Sequence, residues 1–205
     1  STNDPGDRKA GLDFRYRVPF VRDWLTIYSD TYADDDPSPL AAPRRAAVAP
    51  GIYLTRIPKF ERFDFRLEAL MTDVSTSRSN GGKFIYWNGI YKDSHINDGY
   101  LMGSWIGREG KGGQAWLNYW INPQQRITVS YRMANVAKDF IPNGITQRDL
   151  SVQGVFRLTP ELELNAFGQW ERWRAPLLAN GIQHDFTTSV QLTYYPKSLL
   201  NHGMK

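Results

Sequence analysis

The 205-residue chain is 41% hydrophobic, 22% charged and 14% aromatic, carries a net charge of +4 and contains no cysteine. This excludes a disulfide scaffold, a thiolate metal site, a cysteine nucleophile and a disordered chain, and a mild basic excess without a basic block gives no support for nucleic-acid binding. No run of about 18 apolar residues exists to form a spanning helix, a test that says nothing about alternating β-strands.

The opening STNDPGDRKAG is polar and turn-like, and residues 1–10 are read as a lead-in within a longer protein. A strand follows in which Leu12, Phe14, Tyr16 and Val18 alternate with Asp13, Arg15 and Arg17. Trp24–Tyr32 and Gly51–Ile57 are less regular, but their aromatic and branched residues suit strands. In the next, Phe63, Phe65, Leu67, Ala69 and Met71 alternate with Asp64, Arg66 and Glu68. Lys83–Tyr91, Tyr100–Arg108 and Gly113–Ile121 are again irregular strand candidates. Ile127, Val129, Tyr131 and Met133 then alternate with Arg126, Thr128, Ser130 and Arg132. The pattern continues through Leu150–Leu158 and Phe186–Tyr194, with Glu161–Trp173 between them a further less regular strand candidate. A period of two means strands with one apolar and one polar face.

These segments predict an all-β chain of about eleven strands, many near the 9–11 residues that a tilted strand needs to cross a bilayer. RVPFVRD, PKFE, NPQQ and TPE read as tight turns. Between them lie longer loops: ADDDPSPLAAPRRAAVAP, TDVSTSRSNGG, REGKGG, NVAKDFIPNGITQ and RAPLLANGIQ. Only YKDSHINDG breaks the short–long alternation. Short turns at one end and long loops at the other are expected of an outer-membrane barrel. Tyr16, Trp24, Trp87, Trp116, Trp120, Trp170 and Trp173 lie near strand ends, where aromatic rings can sit at lipid headgroups. A soluble barrel or sandwich explains the alternation equally well with the apolar face inward. Strand length, loop asymmetry and a last strand ending in Tyr194–Tyr195, the kind of end that barrel-assembly machinery reads during insertion, favour the antiparallel transmembrane β-barrel.

With apolar faces toward lipid, the polar faces line a lumen: Asp13, Arg15, Arg17, Asp64, Arg66, Glu68, Arg126 and Arg132, with Arg157, Glu161 and Glu163. Arginine forks can pair the carboxylates of an acidic sugar chain, and the same charges can simply pair across neighbouring strands. In the first long loop Arg44 and Arg45 are glycan-binding candidates; Asp34, Asp35 and Asp36 offer oxygen for calcium, but consecutive residues rarely converge on one ion. Trp105 and Arg108, in the glycine-rich GSWIGREGKGG, combine a ring that can stack on a sugar with a charged neighbour for its hydroxyls. That segment lacks the glycine order of a phosphate-binding loop. His95, His184 and His202 fall in loops or the tail, and Glu161 and Glu163 are a pair that any charged strand produces. No catalytic residue, metal site or cofactor is assigned.

Taken together, DFRYRVPFVRDWLTIYSD, DDDPSPLAAPRRAA, YWNGIYKDSHINDGYLMGSWIGREGKGGQAW and GITQRDLSVQGVFRLTPELEL with SVQLTYYP resemble the Wzi-type capsule assembly proteins, from about Gly11 to Pro196. The resemblance implies an outer-membrane barrel that holds capsular or other surface polysaccharide as a lectin rather than an enzyme. It also implies eighteen strands and a small periplasmic helical element, where this chain offers about eleven strands and no helix. Eleven strands leave unpaired edges that lipid does not tolerate, so residues 11–196 are expected to be part of a larger barrel, with 197–205 as a tail. The partners expected are surface polysaccharide, outer-membrane lipid and the assembly machinery. A porin-like channel and a soluble all-β carbohydrate-binding module are the alternatives.

Overall fold

In a computed structural model the described residues are 9–34, 39–40, 43–74, 85–86, 95–98, 100–138 and 141–196. The long strands are β1 (Lys9–Arg17), β2 (Leu25–Asp34), β3 (Ala46–Leu54) and β4 (Phe63–Met71). After a short hairpin of β5 (Ile96–Asn97) and β6 (Tyr100–Leu101) come β7 (Lys111–Asn122), β8 (Gln125–Val136), β9 (Ile145–Thr159), β10 (Leu162–Arg174) and β11 (Gln183–Tyr194). The nine long strands form one antiparallel sheet in the order β1-β2-β3-β4-β7-β8-β9-β10-β11. Among the described residues, the outer edges of β1 and β11 pair with no further strand.

The registers carry residues of one parity across the sheet on one face. Asp64 stands opposite Asn118, Asn118 opposite Thr128, Thr128 opposite Gln153 and Gln153 opposite Phe167. One step along lie Phe65, Leu117, Val129 and Val152 on the other face. These apolar residues do not pack into an interior: Val129, Val152 and Val190 are 40%, 47% and 72% exposed. Among the described residues the buried apolar ones are Ala33, Ala46, Ala47, Val74, Ile85, Ile106, Ile141 and Ala175, all at or beyond the strand ends served by the long connections. Among the described residues, a sheet whose apolar face is bare and whose buried apolar side chains lie only at its long-connection end has the pattern of a bilayer wall rather than of a soluble sandwich.

Two of the predicted strands take another form. Within Tyr100–Arg108 only Tyr100–Leu101 is strand, because Gly107 (φ 67°) and Glu109 (φ 52°) turn the chain and Ile106 is buried within the connection. Of Lys83–Tyr91, Ile85 and Tyr86 form a turn and the rest lies outside the described residues. Both segments belong to the β4–β7 connection, residues 72–110. This removes the one break in the loop alternation, since YKDSHINDG lies inside a long connection instead of joining two sheet strands. Residues 18–24, 55–62, 123–124 and 160–161 are then the short turns, and 35–45, 72–110, 137–144 and 175–182 the long ones. β1 starts at Lys9, inside the predicted lead-in, while residues 1–8 and the tail 197–205 lie outside the described residues.

Candidate functional site

The polar face encloses a trough of about 820 Å³ lined by Asp13, Arg15, Tyr28, Tyr53, Asp64, Arg66, Glu68, Trp116, Asn118, Arg126 and Gln153, among others. Strand alternation alone puts them there, and Arg17 shares the face two residues beyond Arg15. Farther round, Arg132, Asp149, Ser151, Phe167 and Gln169 line an adjoining recess.

Most of these groups are held by one another. The Tyr28 hydroxyl donates to Glu68 Oε1 at 2.7 Å and accepts from Arg66 Nε at 2.8 Å, and Arg66 also pairs with Glu68 directly. The Arg66 guanidinium lies 5.1 Å from the centre of the Trp116 ring. Gly51 makes room for this group, since a Cβ there would stand 2.4 Å from Tyr28 Cζ. Asp64, only 4% exposed, accepts from Asn118 Nδ2 at 2.7 Å and Trp120 Nε1 at 2.6 Å. Arg132 donates through Nε to buried Asp149 at 2.6 Å, and Gln147 bridges Asp149 to Glu171. Arg157 pairs with Glu163 at 3.5 Å. The wall is therefore a lattice of paired charges with aromatic faces set among them; the cross-strand pairing expected for single residues holds for Arg132 and Arg157, whereas Arg66 pairs with Glu68 on its own strand and reaches across the sheet only to the Tyr28 hydroxyl.

The predicted loop residues sit at the long-connection end. Arg44 and Arg45 occupy a single 3-10 turn, Pro43–Arg45, leading into β3, with Arg44 exposed and Arg45 half-buried. Trp105 and half-buried Arg108 lie in the β4–β7 connection. Trp105 reaches the edge of the adjoining recess: the Arg132 guanidinium is 5.4 Å from its ring centre. The connection is fastened by Thr72, whose hydroxyl donates to Gly107 O at 2.7 Å and accepts from Gly110 N at 3.0 Å. Beneath it, a cavity of about 400 Å³ is lined by Asp30, Tyr32, Arg66, Glu68, Tyr86 and Trp105. Asp35 and Asp36 lie outside the described residues. Among the described residues no three His, Asp or Glu side chains come together as a metal site.

Against this geometry, the sequence profile described as capsule assembly protein Wzi matches residues 1–188. The chain belongs to the Wzi capsule assembly family. A solved structure described as Wzi, an outer membrane protein involved in group 1 capsule assembly in Escherichia coli and a carbohydrate-binding β-barrel, superposes with a TM-score of 0.72 at 18% identity. The alignment covers 94% of this chain and 43% of that one, so the chain spans less than half the length of that structure. At that identity the likeness establishes the fold. No curated protein matches the sequence significantly.

In this Wzi-family sheet the aromatic residues divide differently from the girdle predicted. Trp116 and Trp120 point inward, as their bonds to the trough show, and Trp173 donates to inward Asp185. Trp170 and Tyr16 are exposed on the outward face, Trp24 lies in the β1–β2 turn, and Trp87 is outside the described residues. Inward tryptophans were legible in KGGQAWLNYWIN, where Gln114, Trp116, Asn118 and Trp120 alternate with Ala115, Leu117, Tyr119 and Ile121. Tyr28 and Tyr53, in less regular strands, carried no comparable signal.

Proposed function

We propose that this chain forms part of an outer-membrane barrel wall whose trough and long-connection mouth bind capsular or other surface polysaccharide, as a binding protein without catalytic chemistry. The observation that carries this is the trough itself: the half-buried ring of Trp116 lines it beside Tyr28 and Tyr53, among fixed donors and acceptors, in a Wzi-family chain. Aromatic faces stack on sugar rings, while arginine forks read carboxylates. Arg15, Arg66 and Arg126 in the trough, Arg132 in the recess beside it, and Arg44, Arg45, Trp105 and Arg108 at the long-connection end, are the candidate contacts. Among the described residues the outer edges of β1 and β11 are unpaired, and such edges need pairing strands in lipid, which supports residues 11–196 as one portion of a closed barrel.

The test is titration of purified capsular polysaccharide into the full-length protein in detergent, beside conductance in planar bilayers. Saturable binding that weakens in Trp116→Ala supports the proposal. Conductance without glycan affinity sinks it in favour of a porin-like channel. A stable, monodisperse protein in the absence of detergent sinks both.

A further inference from the structure

The outward face changes character near the long connections. Across β8 to β11 the register sets Tyr131, Leu150, Trp170 and Phe186 side by side, all exposed. Toward the short turns the outward rows are apolar or small: Val129, Val152, Gly168 and Thr188, then Ile127, Gly154, Ala166 and Val190. One repeat toward the long connections, about 7 Å along the strand, the row becomes Met133, Arg148, Arg172 and His184.

On β10 the outward run from Leu162 to Trp170 rises about 27 Å, or about 20 Å across a bilayer at a tilt near 40°, close to the height of a barrel's apolar band. The arginine row therefore falls at headgroup depth, on the side of the long connections, which in such barrels is the outer leaflet.

Arg148 and Arg172 are direct cross-strand partners. Like charges so placed repel each other. Among the described residues no carboxylate forms an ion pair with either one. The neighbouring acids Asp149 and Glu171 lie on the inward, polar face, where Asp149 is held by Arg132. Arg174 adds a third cation on the outward side, its Nη1 set 3.4 Å from Gly144 O. An anion presenting several oxygens turns this repulsion into attraction, because each planar guanidinium can take two of them.

We propose that Arg148 and Arg172, flanked by Arg174 and His184, bind the phosphate of a glycolipid headgroup in the outer leaflet, with Trp170 and Phe186 against its apolar part. This rests on reading the sheet as a bilayer wall, and the experiment separates the two.

The full-length protein is reconstituted in phosphatidylcholine bilayers, extracted in mild detergent with diphosphoryl lipid A, and examined by native mass spectrometry. Retained lipid A that falls about tenfold or more in Arg148→Gln/Arg172→Gln and persists in Arg22→Gln, a change at an exposed arginine of the β1–β2 turn, supports the site. Equal retention of dephosphorylated lipid A overturns it, as does undiminished retention by the double variant. If inorganic phosphate at matched concentration displaces the lipid, the site takes free phosphate and the headgroup assignment falls. A heat-modifiable gel shift shows whether each variant folds, and Arg148→Lys/Arg172→Lys, which keeps the charge but loses the forks, must retain lipid A in an intermediate amount. Failure of the wild-type protein to insert overturns the bilayer reading itself, at a step before any lipid is added.

Discussion

Asp64 and Trp120 are joined across the trough wall by a 2.6 Å bond from the indole nitrogen to a carboxylate that is only 4% exposed. The second oxygen of Asp64 takes the Asn118 amide, and Asn118 in turn accepts from Thr128 at 2.5 Å. Three neighbouring strands, β4, β7 and β8, are thereby tied by side chains as well as by backbone ladders.

Asp64→Ala leaves the Asn118 and Trp120 donors without their acceptor. An unpaired buried donor costs about 1–3 kcal/mol, so urea unfolding from lipid vesicles is expected to show a loss of that order. Asp64→Asn retains one oxygen for Trp120 and should lose less. Equal stability of Asp64→Ala and wild type would show that water fills the gap.

The two faces of one strand should answer oppositely to substitution. Val129→Arg or Phe65→Arg places a charge toward hydrocarbon and is expected to cost about 2–4 kcal/mol near mid-bilayer. Ser130→Ala gives up only the 2.7 Å contact with Ser151, about 1 kcal/mol, and Arg66→Ala should likewise fall below the outward changes. Folding titrations in a single lipid compare them; similar losses on both faces contradict a wet interior.

Arg132 and Asp149 form a pair in which the aspartate is buried and the arginine partly open, with side-chain exposures of 4% and 32%. Arg132→Met strands the Asp149 charge and should destabilise by roughly 1–3 kcal/mol, less than for a wholly buried pair because water reaches the arginine side. Adding Asp149→Asn should recover part of that loss. A second substitution that deepens the defect would show that Asp149 has another essential role.

Affinity for an acidic polysaccharide should fall as salt rises from about 0.05 to 0.5 M, since the Debye length shrinks from roughly 14 to 4 Å. A neutral glycan of similar length should bind with little change. Titrations at both ionic strengths decide whether Arg15, Arg66 and Arg126 act through charge or merely through shape.

Much of the fold was legible because a period of two admits few interpretations: Phe65/Arg66 and Val129/Ser130 lie on the opposite faces that their alternation required. Tyr100–Arg108 misled because apolar content without alternation fits a buried loop as well as a strand, and Ile106 takes the former course. The interior charges were legible as a set, but their partners were not. Nothing local in the sequence puts Tyr28 against Arg66, a contact made by register across β2, β3 and β4. The aromatic girdle failed where strand-end position was weighed above face: Trp116 and Trp120 follow the parity of Asn118.

The outward exposure of Val129, Val152 and Val190 also makes the surrounding lipid a component of the stability. In water those side chains would favour clumping; among acyl chains they are at ease. The melting temperature should therefore track membrane thickness, peaking where the hydrocarbon slab matches the greasy belt and dropping in both thinner and thicker bilayers.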